Sequence, residues 1–309
     1  MNDGEKKLQE KGMSSRYTAA PGNSSRITRD YIDSLLIEMR VIDSIESSSK
    51  MGLFGESFAT PVMVAALSGL DNIRPNGMVE VAKGAAAGAV MWSGIGNEQE
   101  LKAIIETGAK TVKIIKPYSD KDLIFEKIFQ AEKYGALAVG MDIDFVFGSK
   151  KNKGYAQSYP VSPKTQDDIK SYVKATKLPF VLKGVLSEQD AKKALEVGAA
   201  AIVVSHHSGS VLDYAVPPLM ILPRIAKIID RRIPIFVDCS ISTGTDAFKA
   251  LALGAKAVSV GRAVMTGLAS DGADGVRKVI EGITEELQMI MNVTGTADCD
   301  NIDPDIIWR

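Results

Sequence analysis

Gly-Ala pairs recur in this chain between a helix-like pattern and a β-rich run, as in Gly108-Ala-Lys-Thr-Val, Gly135-Ala-Leu-Ala-Val, Gly198-Ala-Ala-Ala-Ile and Gly254-Ala-Lys-Ala-Val. Glycine ends a helix in the left-handed conformation without a Cβ penalty, so each pair reads as a helix C-terminus feeding a strand. β-Rich segments fall at 61–67, 89–93, 111–116, 136–142, 179–184, 200–207, 234–240 and 257–262. Helical patterns at 79–87, 98–106, 120–133, 166–175, 188–196, 218–229 and 245–253 lie between most of them, and one at 275–291 follows the last. Ser187-Glu-Gln-Asp190 adds an N-cap signal directly after the fifth segment. Eight strands, each followed by a helix, read as a single (β/α)8 barrel, a TIM barrel of the α/β class. A doubly wound open sheet is the second reading. It prefers fewer strands and usually a glycine-rich first turn, and Gly94-Ile-Gly96 lacks the third glycine of that fingerprint.

Residues 1–29 are polar, with Ser, Asn and Gly interspersed, and read as a flexible N-terminal arm ahead of a barrel domain over 30–309. Tyr31, Leu35, Leu36, Met39 and Ile42 predict a helix over 30–46, a short N-terminal extension packed across one end of the fold. Residues 53–58 read as a short hairpin. A formal net charge of −1 leaves no electrostatic footprint for nucleic acid. No apolar run approaches the roughly eighteen residues of a membrane span, and the polar start is unlike a secretory leader. The cysteines are Cys239 and Cys299 alone, too few for a disulfide framework, so a cytoplasmic location is expected.

Chemistry in such barrels gathers at the C-terminal ends of the strands. The third run offers Lys116, the fourth Asp142, the fifth Lys183, the sixth Ser205 and His207, the seventh Asp238 and Ser240, the eighth Gly261-Arg262. Ionisable groups at buried strand ends are costly unless paired or facing a charged ligand. A ring of structural ion pairs is the plainer explanation; an anionic cofactor with an acid–base pair is the sharper one. The pair is Asp142 and His207, a carboxylate that orients an imidazole and stabilises it once protonated. His206 and His207 are the chain's only histidines, and on an extended segment their side chains point to opposite faces. The phosphate corner is read at the last two strands, where Asp238-Cys-Ser-Ile-Ser-Thr-Gly-Thr245 leads into a helix whose first N–H groups favour an anion and Arg262 adds a guanidinium. Lys183, central and cationic, suits a ring that gains negative charge. No metal site is read from the chain.

At these residues the chain resembles the FMN-dependent α-hydroxy-acid oxidase and dehydrogenase family, from about Asp30 to the C-terminus. The similarity is carried by Pro179-Phe-Val-Leu-Lys-Gly184, by Val204-Ser-His-His-Ser-Gly-Ser-Val-Leu-Asp213, and by the run from Gly244-Thr-Asp-Ala-Phe-Lys to Val260-Gly-Arg262. The resemblance implies FMN as cofactor, with Lys183 on the flavin, His207 as catalytic base and Asp142 as its partner. It places Ala65, Ala66 and Leu67 by their backbone against the flavin, and Ser93, Ser205, Asp238, Ser240, Gly261 and Arg262 around the rest of FMN. It implies a small-molecule substrate and a homo-oligomer, tetramer or octamer. The chain departs from the family motif at Ser210, where the family keeps a substrate-binding arginine, and at Ser242, which replaces a phosphate-contacting arginine. Cys239 replaces a glycine, and Ile114-Ile-Lys116 replaces Gln-x-Tyr. The segment 142–179 is short. Lys116, or Arg16 and Tyr17 of the arm, can stand in for the missing arginine. The first functional reading is therefore an FMN oxidoreductase with an altered substrate-anchoring site. The alternatives are a non-redox flavin enzyme resembling type 2 isopentenyl-diphosphate isomerases, and a flavin-binding protein of low activity.

Overall fold

Parallel strands need long crossovers, and the helix after each β-run supplies one. The computed structural model describes residues 3–10 and 22–309, and among these eight strands form one sheet. They are β1 (Val62–Val64), β2 (Met91–Ser93), β3 (Thr111–Ile115), β4 (Ala138–Asp142), β5 (Phe180–Val185), β6 (Ala201–Val204), β7 (Ile235–Val237) and β8 (Ala257–Val260). β8 returns to β1 in parallel, Val258 opposite Val62 and Val260 opposite Val64. β1 and β2 meet more sparsely, through Val64 N–H to the Val90 carbonyl at 3.0 Å and Gly94 N–H to the Leu67 carbonyl at 2.8 Å. The (β/α)8 reading holds, and the open-sheet alternative does not.

The crossovers are α1 (Gly77–Ala85), α2 (Glu98–Glu106), α3 (Lys121–Lys133), α4 (Gln166–Lys174), α5 (Glu188–Glu196), α6 (Pro218–Ile229) and α7 (Gly244–Ala252); α8 (Arg262–Val293) follows β8. α2, α5 and α6 begin and end where their periodicity predicts. The four junction glycines all have positive φ: 87° at Gly108, 78° at Gly135, 81° at Gly198 and 109° at Gly254. α8 starts earlier than the apolar spacing implies and breaks at Asp271 and Gly272, so a first helical piece precedes the predicted one.

Inside the barrel, Met63, Trp92, Ile114, Ala138, Val181, Val203, Phe236 and Ala257 pack together, with Met51, Leu53 and Phe58 of the hairpin Met51–Leu53/Glu56–Phe58 among them. Trp92 and Phe236 meet edge to face at 5.5 Å. Larger aliphatic residues fill the layer between strands and helices. The period of two then decides what stands at the open end. The inward series Val112–Ile114, Ala138–Gly140, Val181, Ala201–Val203 and Phe236 continues into Lys116, Asp142, Lys183, Ser205 and Asp238. Apolar packing at the bottom thereby aims these five polar groups into the mouth.

The N-terminal region needs correction. Residues 3–10 and 22–29 are not unstructured: Asp3–Glu10 is a helix whose Leu8 is fully buried, and Gly22–Ser34 is a second helix. The helix expected over 30–46 ends at Ser34, after which Leu36–Ile37 pairs antiparallel with Ile307–Trp308. Apolar periodicity misled here because Met39 and Ile42 are 68% and 90% exposed, while the buried face of the real helix is Ser24, Ser25, Thr28 and a single isoleucine, Ile32. That face is held by hydrogen bonds: Ser24 N–H to Asp213 Oδ1 at 2.9 Å and Ser25 Oγ to the Ser208 carbonyl at 3.2 Å. A helix that docks mostly through serine and threonine on a polar loop leaves only a weak hydrophobic signature.

Candidate active site

Lys183 stands opposite Asp142 in the β5–β4 register. Its Nζ lies 3.3 Å from Asp142 Oδ1, 3.3 Å from Asp238 Oδ2 and 3.5 Å from Ser205 Oγ. Lys116 Nζ reaches Asp142 Oδ2 at 2.6 Å and sits 3.9 Å from the centre of the Phe145 ring. All are buried. Burial opposes ionisation of Asp142, but Lys116, Lys183 and His207 outweigh it and hold its carboxyl well below the usual range. Burial likewise opposes the Lys183 ammonium, and Asp238, Asp142 and Asp144 keep it charged well past its ordinary range. Asp238 is held low against its burial chiefly by Lys183. Buried pairs of this kind contribute little net stability, yet removing one partner strands the other.

His207 leaves β6 in a left-handed conformation, φ 53°, as does Ser208 at 52°. Its backbone N–H is held by Ser205 Oγ at 3.1 Å. Its Nδ1 lies 3.3 Å from Asp144 Oδ2 and 3.8 Å from Asp142 Oδ1, and its ring faces Phe145 at 5.5 Å. His206 is buried: its Nδ1 accepts the Gly209 N–H at 3.2 Å, so its protonated Nε2 faces Thr28 Oγ1 at 2.7 Å. The two rings diverge as expected, through a left-handed turn rather than an extended segment. Asp142, Asp144 and His207 offer three donor atoms within 4.8 Å of one another. Two ammonium groups already sit on Asp142, so a further cation there would meet strong repulsion.

The anion corner differs from its expected form. At the start of α7, Glu286 accepts from Gly244 N–H at 2.9 Å, Thr245 N–H at 3.1 Å and Thr245 Oγ1 at 2.6 Å, while Thr243 caps Asp246 N–H. That helix end is sealed by a carboxylate of α8. At this corner the start of α8, at Gly261-Arg262, has no side-chain cap. Arg262 Nη2 reaches Ser240 Oγ at 3.4 Å, and Cys239 and Ser240 turn there with φ of 73° and 63°. Burial lowers the Arg262 pKa, and Arg29 beside it lowers it further. Arg29, unnoticed in the sequence, donates to the Ser240 carbonyl at 3.0 Å and pairs with Asp246 at 2.9 and 2.8 Å. An uncapped helix end and the Arg262 guanidinium fit a phosphate, while Arg29 is taken up by Asp246 and by Asp33 at 2.7 Å.

The remaining expected residues fall as follows. Ala65, Ala66 and Leu67 follow β1 at the mouth, where Ala65 N–H holds the Val260 carbonyl at 3.0 Å. Ser93 lies on the opposite face of β2 from Trp92 by alternation, with its buried Oγ unpartnered. Ser210 Oγ is also unpartnered, and its carbonyl accepts Lys150 N–H at 2.9 Å, drawing the 146–154 loop beside it. Arg16 and Tyr17 lie outside the described residues. Sequence reasoning missed Asp144, though the Asp142-Ile-Asp144 spacing was visible. It also missed Tyr118, a buried residue edge-on to Tyr159 whose hydroxyl is pushed up to about 12 by burial and by Tyr159 and Asp142 nearby.

A model of the family described as FMN-dependent dehydrogenase matches residues 15–167 and 162–309. A 2-hydroxyacid oxidase of Dictyostelium discoideum is 29% identical over 306 residues, covering 88% of this chain and 79% of that one. Glycolate oxidase of Spinacia oleracea is 28% identical over 305 residues, covering 86% and 82%. A solved mandelate oxidase variant with an FMN adduct superposes with a TM-score of 0.88 at 28% identity, covering 99% of each chain. Barrel, a mouth of paired lysines and aspartates, and a match along nearly the whole sequence agree: the chain belongs to the FMN-dependent dehydrogenase family.

Proposed function

We propose that the chain, an FMN-dependent oxidoreductase acting on CH–OH donors, oxidises a small 2-hydroxy acid with His207 as general base. The observation that carries this reading is the mouth itself. An exposed edge of His207 stands over a buried set of Lys183, Lys116, Asp142 and Asp238, beside an uncapped helix end suited to a phosphate. FMN bound there supplies a two-electron acceptor. Lys183, Ser205 and the backbone of Ala65, Ala66 and Leu67 would line its ring, with Ser93 near its edge. Asp238 would accept from its ribityl hydroxyls, and Ser240, Gly261 and Arg262 would hold its phosphate. His207 accepts the substrate hydroxyl proton, and the carboxylates beside it stabilise the imidazolium. Lys116 and Ser210 would form the substrate end, with Tyr17, outside the described residues, proposed to join them, so the acid's carboxylate would meet an ammonium and a serine hydroxyl in place of an arginine.

We also propose a cytoplasmic homo-oligomer. The buried free thiols of Cys239 and Cys299 support the location. The exposed run Leu36, Met39, Val41, Ile42 and Ile45 beside Trp308 supports self-association.

Two tests follow. Heat-released cofactor should chromatograph as FMN, not FAD or a nicotinamide nucleotide; a protein that cannot be loaded with FMN ends the proposal. Arg262→Ala should weaken FMN by on the order of 2 kcal/mol, read by fluorescence titration of the apoprotein. Unchanged affinity would put the phosphate elsewhere.

A further inference from the structure

β4 ends in two carboxylates, and they are not equivalent. Asp142 is committed to the lysines, Oδ2 to Lys116 at 2.6 Å and Oδ1 to Lys183 at 3.3 Å. Asp144 has no such partner: both its oxygens are buried without a hydrogen bond. The buried Nδ1 of His207 is also unpaired, and it lies 3.3 Å from Asp144 Oδ2 against 3.8 Å from Asp142 Oδ1. Groups left unpaired in a buried place find their nearest complement, and here each is the other's. The space for Asp144 is made by Gly184, φ 95°, where a Cβ would stand 2.5 Å from Asp144 Cγ. Lys183 and Gly184 thus serve the two carboxylates separately, one with charge and one with room.

We infer that Asp144 is the positioning residue for His207. It accepts the Nδ1–H, holds the neutral ring as the Nδ1–H tautomer, and leaves the Nε2 lone pair free to take the substrate proton. Asp142 anchors the lysines instead. The inference rests on the reading of His207 as base, and it specifies which group makes it one.

His206 provides an internal reference, because its contacts fix the opposite tautomer, Nε2–H toward Thr28. With these as the chain's only histidines, ring-15N-histidine labelling shows just two rings. Two-bond 1H–15N spectra of the FMN-loaded full chain, at a pH where both rings are neutral, should show one Nδ1–H and one Nε2–H tautomer. His207→Gln assigns the first by its loss. Asp144→Ala should move that ring toward Nε2–H and slow substrate-driven bleaching of the flavin band on the order of 10²-fold with FMN retained; Asp142→Asn should leave the tautomer unchanged. An Nε2–H tautomer at His207 in the unaltered protein would overturn the assignment, and that spectrum decides even if a variant does not fold. Loss of the Nδ1–H signal in Asp142→Asn, with Asp144→Ala unaffected, would overturn it too. The tautomer is read without turnover, so a protein that no 2-hydroxy acid bleaches refutes the proposed reaction and leaves this assignment standing or falling separately.

Discussion

His207→Gln should abolish bleaching of the flavin band by substrate while FMN stays bound. Glutamine keeps the size and part of the hydrogen bonding of the imidazole but has no base able to work near neutral pH. Loss of a general base typically costs about 10²–10⁴-fold in rate. His207 touches neither Arg262 nor the helix start at Gly261, so cofactor affinity should be nearly unchanged. His206→Gln separates a structural loss from a catalytic one. It disturbs the bonds to Thr28 and Gly209 that pin the helix Gly22–Ser34 to the β6 loop, so its effect should appear in thermal stability rather than in rate. Rapid mixing under anaerobic conditions measures both; equal rate losses in the two variants would refute the assignment of the base.

Lys183→Met should be the most destabilising single change at the mouth. The ammonium lies between Asp142 and Asp238. Asp142 would keep Lys116, whereas Asp238 would be left with only the Ser205 and Cys239 side chains. Stranding a buried charge costs about 3–5 kcal/mol, read as a lower urea midpoint. Combining Lys183→Met with Asp238→Asn should recover part of that loss, because the two share one interaction. The sign of the pH dependence follows. Asp142 and Asp238 are held below their ordinary range, so their stabilising contribution is present above the unfolded value of about 3.9 and is lost as pH falls through the folded one. Lys183 is held above its range, so its contribution is present below about 10.4 and is lost as pH rises through the folded value. Stability should therefore plateau between these limits and fall on both sides. A flat urea midpoint from neutral pH down into the acid range would contradict the pairing.

The barrel is legible in the sequence because it is built from local rules. Gly108, Gly135, Gly198 and Gly254 end helices wherever they occur, and alternation along each strand carries Lys116, Asp142, Lys183, Ser205 and Asp238 to one end together. What is not legible depends on distant partners. The helix Gly22–Ser34 buries two serines and a threonine against a loop about 180 residues away and only Ile32 among its apolar residues, so no continuous apolar stripe marks it. Glu286 closes the start of α7 from another helix, and a capping signal cannot show that the cap is already taken. Arg29 reaches Ser240 and Asp246 from more than 200 residues away. Asp144 stands two residues after Asp142 in the sequence, but nothing local marks it, because its role depends on Lys116 and Lys183 occupying Asp142 from neighbouring strands.

The visible spectrum of the purified protein, recorded anaerobically before and after a panel of 2-hydroxy acids, tests the central claim most directly. The account predicts a yellow protein whose flavin band bleaches with at least one small 2-hydroxy acid, and an otherwise identical His207→Gln protein whose band does not. A flavin band that no acid alters, or that His207→Gln bleaches at the normal rate, would contradict it.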